Sequence, residues 1–232
     1  MSSRRKAFKA AFPYTIPLIP SYIFLAFAFG VLMSSKGYGA LWPILMSVVI
    51  YAGAMQYVTV NLLTSIFSPL NALVMTLVIN ARHLFYGVAM LEKFSGAGRK
   101  KPYLIFGLTD ETFSLLCSAE PPAGVDRYWF MFFITLIAQF YWVAGTALGV
   151  LLGENLFFNI QGLDFVMTAL FIVIFINQWK SQQRHDPALV GMGISLGCLL
   201  VFGPQRFIIP AMVLIVAALL LFRRKIDQEV EL

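Results

Sequence analysis

Apolar runs about 20 residues long recur along the chain, at roughly 14–33, 41–67, 69–91, 103–119, 128–152, 163–179, 187–203 and 207–222. A helix needs about 20 apolar residues, at 1.5 Å each, to cross a hydrocarbon core about 30 Å thick. No stretch shows the strand-like alternation of an outer-membrane barrel. Of the 232 residues, 59% are hydrophobic and 12% charged, against about 25% charged in a soluble domain. The expected fold is therefore all-α, a polytopic transmembrane helical bundle of 7–8 segments forming one domain over 1–232.

The net charge of +6 does not point to nucleic acid, because the basic residues gather at the edges of apolar runs. Arg4, Arg5, Lys6 and Lys9 precede the first run, and Arg223, Arg224 and Lys225 follow the last. Basic residues retained on the cytoplasmic side encode membrane orientation. The stretch Phe12–Met33 is too long for a signal-peptide core and lacks a small-x-small cleavage site, so it reads as a retained first helix. Pro13, Pro17 and Pro20 predict kinked or unwound early turns. Eight crossings put both basic termini, with Lys180 and Arg184, inside and Glu154 outside, but leave Lys93, Arg99, Lys100 and Lys101 external. Seven crossings separate the two basic termini. The 103–119 run, with Pro102, Gly107 and a polar cluster, either spans or re-enters.

Two polar clusters interrupt the apolar background. Asn80-Ala81-Arg82-His83 lies inside the third run, and Thr109-Asp110-Glu111-Thr112 inside the fourth. Ionisable groups in lipid pair with one another or line a water-filled path. Asn80 and His83 share one helical face, with Arg82 and Tyr86 on a neighbouring one. An inward Arg82 favours an anion, either Asp110, Glu111 or a substrate carboxylate; the alternative is that Arg82 and His83 snorkel to an interface. Asp110 and Glu111 point about 100° apart on a helix, so one is expected to pair with Arg82 and the other to titrate or face substrate. A buried carboxyl without a partner favours its neutral form, which a proton-coupled carrier could use; a purely architectural salt bridge is the alternative. Gln56, at the centre of the second run, either binds substrate or bridges helices. Asn61, Gln139, Asn177 and Gln178 are weaker candidates of the same kind.

A short internal repeat aligns Leu25–Leu32 with Ala144–Leu151, suggesting repeats over 10–120 and 125–225 of the kind on which many transporters are built. There is no Walker-type glycine loop, no metal-ligand spacing and no clear nucleophile, so no cofactor, metal or enzymatic activity is expected. Cys117 and Cys198 read as small apolar residues.

Ala52-Gly53-x-x-Gln56, Asn80-x-Arg82-His83-x-x-Tyr86-Gly87 and Thr109-Asp110-Glu111-x-Phe113, in this order and spacing, resemble the signatures of the AzlC-type family, the large subunits of branched-chain amino-acid exporters. The likeness runs roughly from Phe8 to Gln178. It implies a bacterial inner-membrane permease exporting leucine, isoleucine, valine or methionine with a small AzlD-type membrane subunit. The side chains themselves suggest Gln56, Asn80, Arg82 and Tyr86 for substrate, and His83, Asp110 and Glu111 for proton coupling or ion pairing. The other readings are an assembly subunit and a passive small-solute channel.

Overall fold

Three prolines shape the first helix. Pro13 lies within α1 (Ser3–Thr15), Pro17 in a 3₁₀ turn (Ile16–Leu18) and Pro20 in the first turn of α2 (Ile19–Ser35). The missing N–H donors are thus absorbed by a local tightening rather than a break. The computed structural model describes residues 3–64, 66, 68–155, 165, 168–169, 172, 175–176, 179–180, 185–203, 207, 210–211, 213–215, 217–219 and 221. It divides into two compact units, Met1–Met167 and Thr168–Leu232. Asn177, Gln178, Arg184, Arg223, Arg224 and Lys225 lie outside the described residues, as do most of the run 163–179 and part of the run 207–222.

The first unit continues with α3 (Leu41–Val49), α4 (Gly53–Thr64), α5 (Pro69–Ala89), α6 (Lys101–Phe106), α7 (Asp110–Ser118) and α8 (Arg127–Asn155). Among the described residues, three helical stretches are long and apolar enough to cross a membrane: Ser3–Ser35, Ala72–Ala89 and Arg127–Gly153. The 41–67 run, expected as one crossing, is instead two helices that reverse direction. Tyr51, with φ 45°, turns the chain between them. From there α4 climbs beside α2 in the same sense. The Tyr57 hydroxyl donates to Leu25 O (2.8 Å), Val60 packs with Leu32 and Met33, and the Tyr38 hydroxyl donates to Leu63 O (3.2 Å). The last contact returns the end of α4 to the loop that precedes α3. At 9 and 12 residues, each arm is long enough for about half a bilayer.

The 103–119 run forms a second hairpin. Its rising arm follows α8: Lys100 sits 4.3 Å over the Trp129 ring, Tyr103 stacks near Phe132, and Gly107 abuts Thr135. The returning arm descends against α1 and α2, from Thr109 beside Tyr22 to Glu120 beside Tyr14. The same arm follows α5 from Arg82 down to Lys93, which meets Cys117 O and Glu120. A long helix followed by a half-length hairpin thus occurs twice, in opposite senses.

This reversal gathers the basic residues of the first unit at one end. Arg4 and Lys100 both lie over the ring of Trp129, so the N-terminus, the 90–100 loop and the start of α8 share one end. Arg4, Arg5, Lys6, Lys9, Lys93, Arg99, Lys100, Lys101 and Arg127 all fall there, whereas Lys36 lies at the other. A hairpin at 41–64 returns to its own side, and the basic loop comes back to join the N-terminus.

At the centre, α2 and α8 run parallel in close contact. A Cβ on Gly145 would lie 2.8 Å from Ala26 Cβ, one on Gly30 would collide with Thr146 O, and one on Gly149 with Phe27 O. Without a hydrophobic drive between helices in lipid, small residues that admit close backbone approach hold them together. The octads aligned by sequence are the two faces in contact. Gly30 corresponds to Gly149 and Phe27 to Thr146, so the two collisions are reciprocal, as across a local two-fold axis. Part of the expected repeat over 125–225 lies outside the described residues.

The second unit contains α9 (Asp186–Phe202), with Pro187 in its first turn and Gly203 past its end at φ 71°, where a side chain would be strained. His185 stacks on Trp179 with ring centroids 3.9 Å apart.

Candidate functional site

The two hairpin tips meet each other between α2 and α8. Tyr51, at the first tip, lies against Phe106, just before the second. Each tip also carries a glycine seated on α8. A Cβ at Gly53 would come 2.8 Å from the Trp142 ring, and one at Gly107 would overlap Thr135. A larger residue at either position would require the Trp142 or Thr135 side chain to shift.

Helix α7 begins at the second tip, where its first N–H groups have no partner within the helix. Thr109 supplies a capping box with Thr112: its side chain accepts from Thr112 N, and Thr112 Oγ1 accepts from Thr109 N at 2.7 Å. Asp110 and Glu111 occupy the first turn, where the helix dipole favours negative charge. They diverge as their adjacency requires. Asp110 turns to α5, taking an ion pair from Arg82 at 2.6 Å and a hydrogen bond from the Tyr86 hydroxyl. Glu111 turns to α2, accepting from Thr109 Oγ1 (3.1 Å) and, more distantly, from the Tyr22 hydroxyl (3.4 Å). The Tyr22 and Thr109 hydroxyls are themselves 2.5 Å apart.

Gln56 belongs to the structural core of the first hairpin. It is fully buried, donates to Ser47 Oγ at 3.0 Å and accepts from Trp142 Nε1 at 2.9 Å. Ser47 in turn meets Thr146 of α8 at 2.8 Å. The amide therefore ties both arms of the hairpin to α8, which is the helix-bridging alternative of the two raised by its sequence position. Gln139 plays a comparable part, donating to Val48 O and accepting from Tyr103. His83 contacts Tyr86 edge-on, with centroids 5.7 Å apart, and Tyr86 stacks on Phe113 at 4.4 Å.

Three side-chain atoms are buried without a hydrogen-bond partner among the described residues: Tyr51 Oη, Asn80 Oδ1 and Arg82 Nε. Such atoms are uncommon and call for a physical reason. Two of them belong to residues expected from sequence to meet substrate. Tyr22, Tyr51 and Trp142 were not legible as site residues, because isolated aromatics in apolar helices look like packing. The one available signal for Tyr51 was its place beside Ala52-Gly53 at the middle of an overlong run.

The family model described as AzlC protein matches residues 17–156, more than half of the chain. The chain belongs to the AzlC family. The AzlC match takes in both hairpins and all of α8, so the tips and the residues around them fall inside it. A relative from Bacillus subtilis (strain 168), described as branched-chain amino acid transport protein AzlC, is 52% identical over 96% of this chain and 87% of its own length. A membrane protein of Haemophilus influenzae, described as uncharacterized, is 43% identical over 97% of this chain and 93% of its own. The inner membrane protein YgaZ of Escherichia coli is 30% identical over 76% of each. No solved structure matches the chain.

Proposed function

We propose that this protein is a secondary-active transporter that exports branched-chain or other apolar amino acids across the bacterial inner membrane, driven by protons and working with a small AzlD-type subunit. The observation that carries this reading is the pair of opposed half-length hairpins whose tips meet around Glu111. Discontinuous helices that meet near the bilayer centre, with half-helix ends facing the site, are a recurring way to build alternating access. The name of the Bacillus subtilis relative supplies the substrate class. The basic end of the first unit faces the cytoplasm by the rule that retains Lys and Arg inside. One hairpin would then screen the site from each side.

The roles divide by what each side chain already holds. Arg82, Tyr86 and Asp110 fix α7 to α5, and Gln56 braces the first tip. Asn80 Oδ1 and Arg82 Nε are left for the substrate's polar groups or for water in the pathway. Glu111, held by hydroxyls and a backbone N–H and with no cation within ion-pair distance among the described residues, is the group that exchanges a proton, with His83 a secondary candidate. Apolar pockets separate aliphatic side chains by only about 1–3 kcal/mol per methylene, so leucine, isoleucine, valine and methionine are expected to overlap.

Efflux of labelled leucine, valine and methionine from cells expressing the chain with and without its partner tests this directly. Saturable efflux that collapses with a proton uncoupler, and falls at least tenfold in Glu111→Gln, is the expected result. Unsaturable, uncoupler-insensitive flux would make the protein a passive channel. The assembly-subunit reading has its own support, since the apolar window of α5 has no residue buried within the structure; it predicts normal efflux in Glu111→Gln.

A further inference from the structure

We propose that the junction of the two tips is a subsite for the substrate's primary ammonium group, with the Glu111 carboxylate and the hydroxyls of Tyr22 and Tyr51 as its acceptors. The inference deepens the transporter reading and rests on it. An ammonium has three donors and no acceptor, so it requires a cluster of oxygens rather than a single carboxylate. The junction supplies one. Tyr22 is 1% exposed and Tyr51 3% exposed. The Tyr22 hydroxyl already reaches both Thr109 and Glu111. The Tyr51 hydroxyl lies close to that of Tyr22 and near Glu111, but makes no hydrogen bond of good geometry to either. A buried hydroxyl without a well-formed hydrogen bond is unfavourable, and a donor arriving between Tyr51 and Glu111 would supply one.

The surroundings favour a cation over an anion. Tyr22 packs edge-on against Trp142, and Tyr51 against Phe106, which neighbours Tyr103. Aromatic faces attract an ammonium, whereas a carboxylate beside Glu111 would meet like charge. The other acid of the motif is not available, because Asp110 is committed to Arg82 and Tyr86. The subsite also joins both hairpins. Tyr51 comes from the first tip, Thr109 and Glu111 from the second, so an occupied site would hold the two tips together.

The test is ligand binding to the purified full chain with its small partner in lipid nanodiscs, using leucine, 3-methylbutylamine (leucine without its carboxylate) and 4-methylpentanoate (leucine without its ammonium). Tyr51→Phe keeps the ring and removes only the hydroxyl, which makes no hydrogen bond of good geometry, so its thermal stability is expected to stay close to the parent's. Expected is a loss of about tenfold in affinity for leucine and for 3-methylbutylamine in Tyr51→Phe, with 4-methylpentanoate unchanged. Leucine binding that is equal in parent and variant would overturn the subsite while leaving the transporter reading intact. An equal loss for 4-methylpentanoate would overturn it too, by showing that the hydroxyl meets the carboxylate. No binding of leucine, valine or methionine to the parent would remove the transporter reading and the subsite together.

Discussion

Gly149→Ala is expected to prevent stable packing of α2 against α8, with Gly30→Ala close behind. The added methyl of Gly149→Ala would overlap Phe27 O, with Phe27 C next at 2.8 Å; that of Gly30→Ala would overlap Thr146 O. Both obstacles are backbone, so no side-chain rotation relieves them and the helices must separate. Overpacking of this kind costs about 1–3 kcal/mol in a soluble core. The cost here belongs at or above the upper end, because close van der Waals contact is the chief attraction between helices in lipid. The two substitutions open the same interface, so the double variant should cost less than the sum of the singles. Gly191→Ala, where nothing lies within 4 Å of the new methyl, is the control and should leave the melting temperature of the purified protein within a degree or two. Normal stability in Gly149→Ala would mean that α2 and α8 do not meet at this distance.

The second large effect is expected at the Arg82–Asp110 pair. Its side chains are 28% and 19% exposed, sheltered enough that an orphaned charge cannot be fully hydrated. Arg82→Leu leaves Asp110 with only the Tyr86 hydroxyl, and loses on the order of 2–4 kcal/mol of stability. Arg82→Leu combined with Asp110→Leu should regain more than half of that loss, since removing both charges also removes the cost of burying them. The paired variant separates architecture from transport. Stable protein with intact leucine efflux would confine the pair to holding α7 against α5. A folded Arg82→Leu protein that no longer co-purifies with its small partner would instead favour the assembly reading.

That Asp110 and Glu111 turn to different helices was legible from adjacency alone, because neighbouring helical residues point about 100° apart. The pairing of Arg82 with one of them followed from charge in lipid. What hydropathy could not show was direction. A run of 27 apolar residues at 41–67 satisfies the length rule for a crossing whether the chain continues or turns back. The turn depends on one residue, Tyr51, at positive φ. Gly107 and the Thr109 cap do mark a break in the sequence, which is why re-entry was a live alternative for the second hairpin. The basic 90–100 loop held the missing information for the first, since only a hairpin at 41–64 brings it to the same side as the N-terminus. Gln56 illustrates a different limit. A mid-span amide has the same signature whether it binds a ligand or a neighbouring helix, and its hydrogen bond from Trp142, 86 residues away, could not be read from it.

The opposed hairpins are most directly tested by cysteine labelling from each side of the membrane, in a background in which Cys117 and Cys198 are replaced by alanine. Gly39→Cys, before the first hairpin, and Ile66→Cys, after it and 98% exposed, should both react with an impermeant reagent from the periplasmic side. Ser95→Cys, in the basic loop, should react only after the cytoplasmic side is opened. Labelling of Gly39→Cys and Ile66→Cys from opposite sides would make 41–64 a crossing, and would contradict the meeting of the two tips on which the proposed transport site depends.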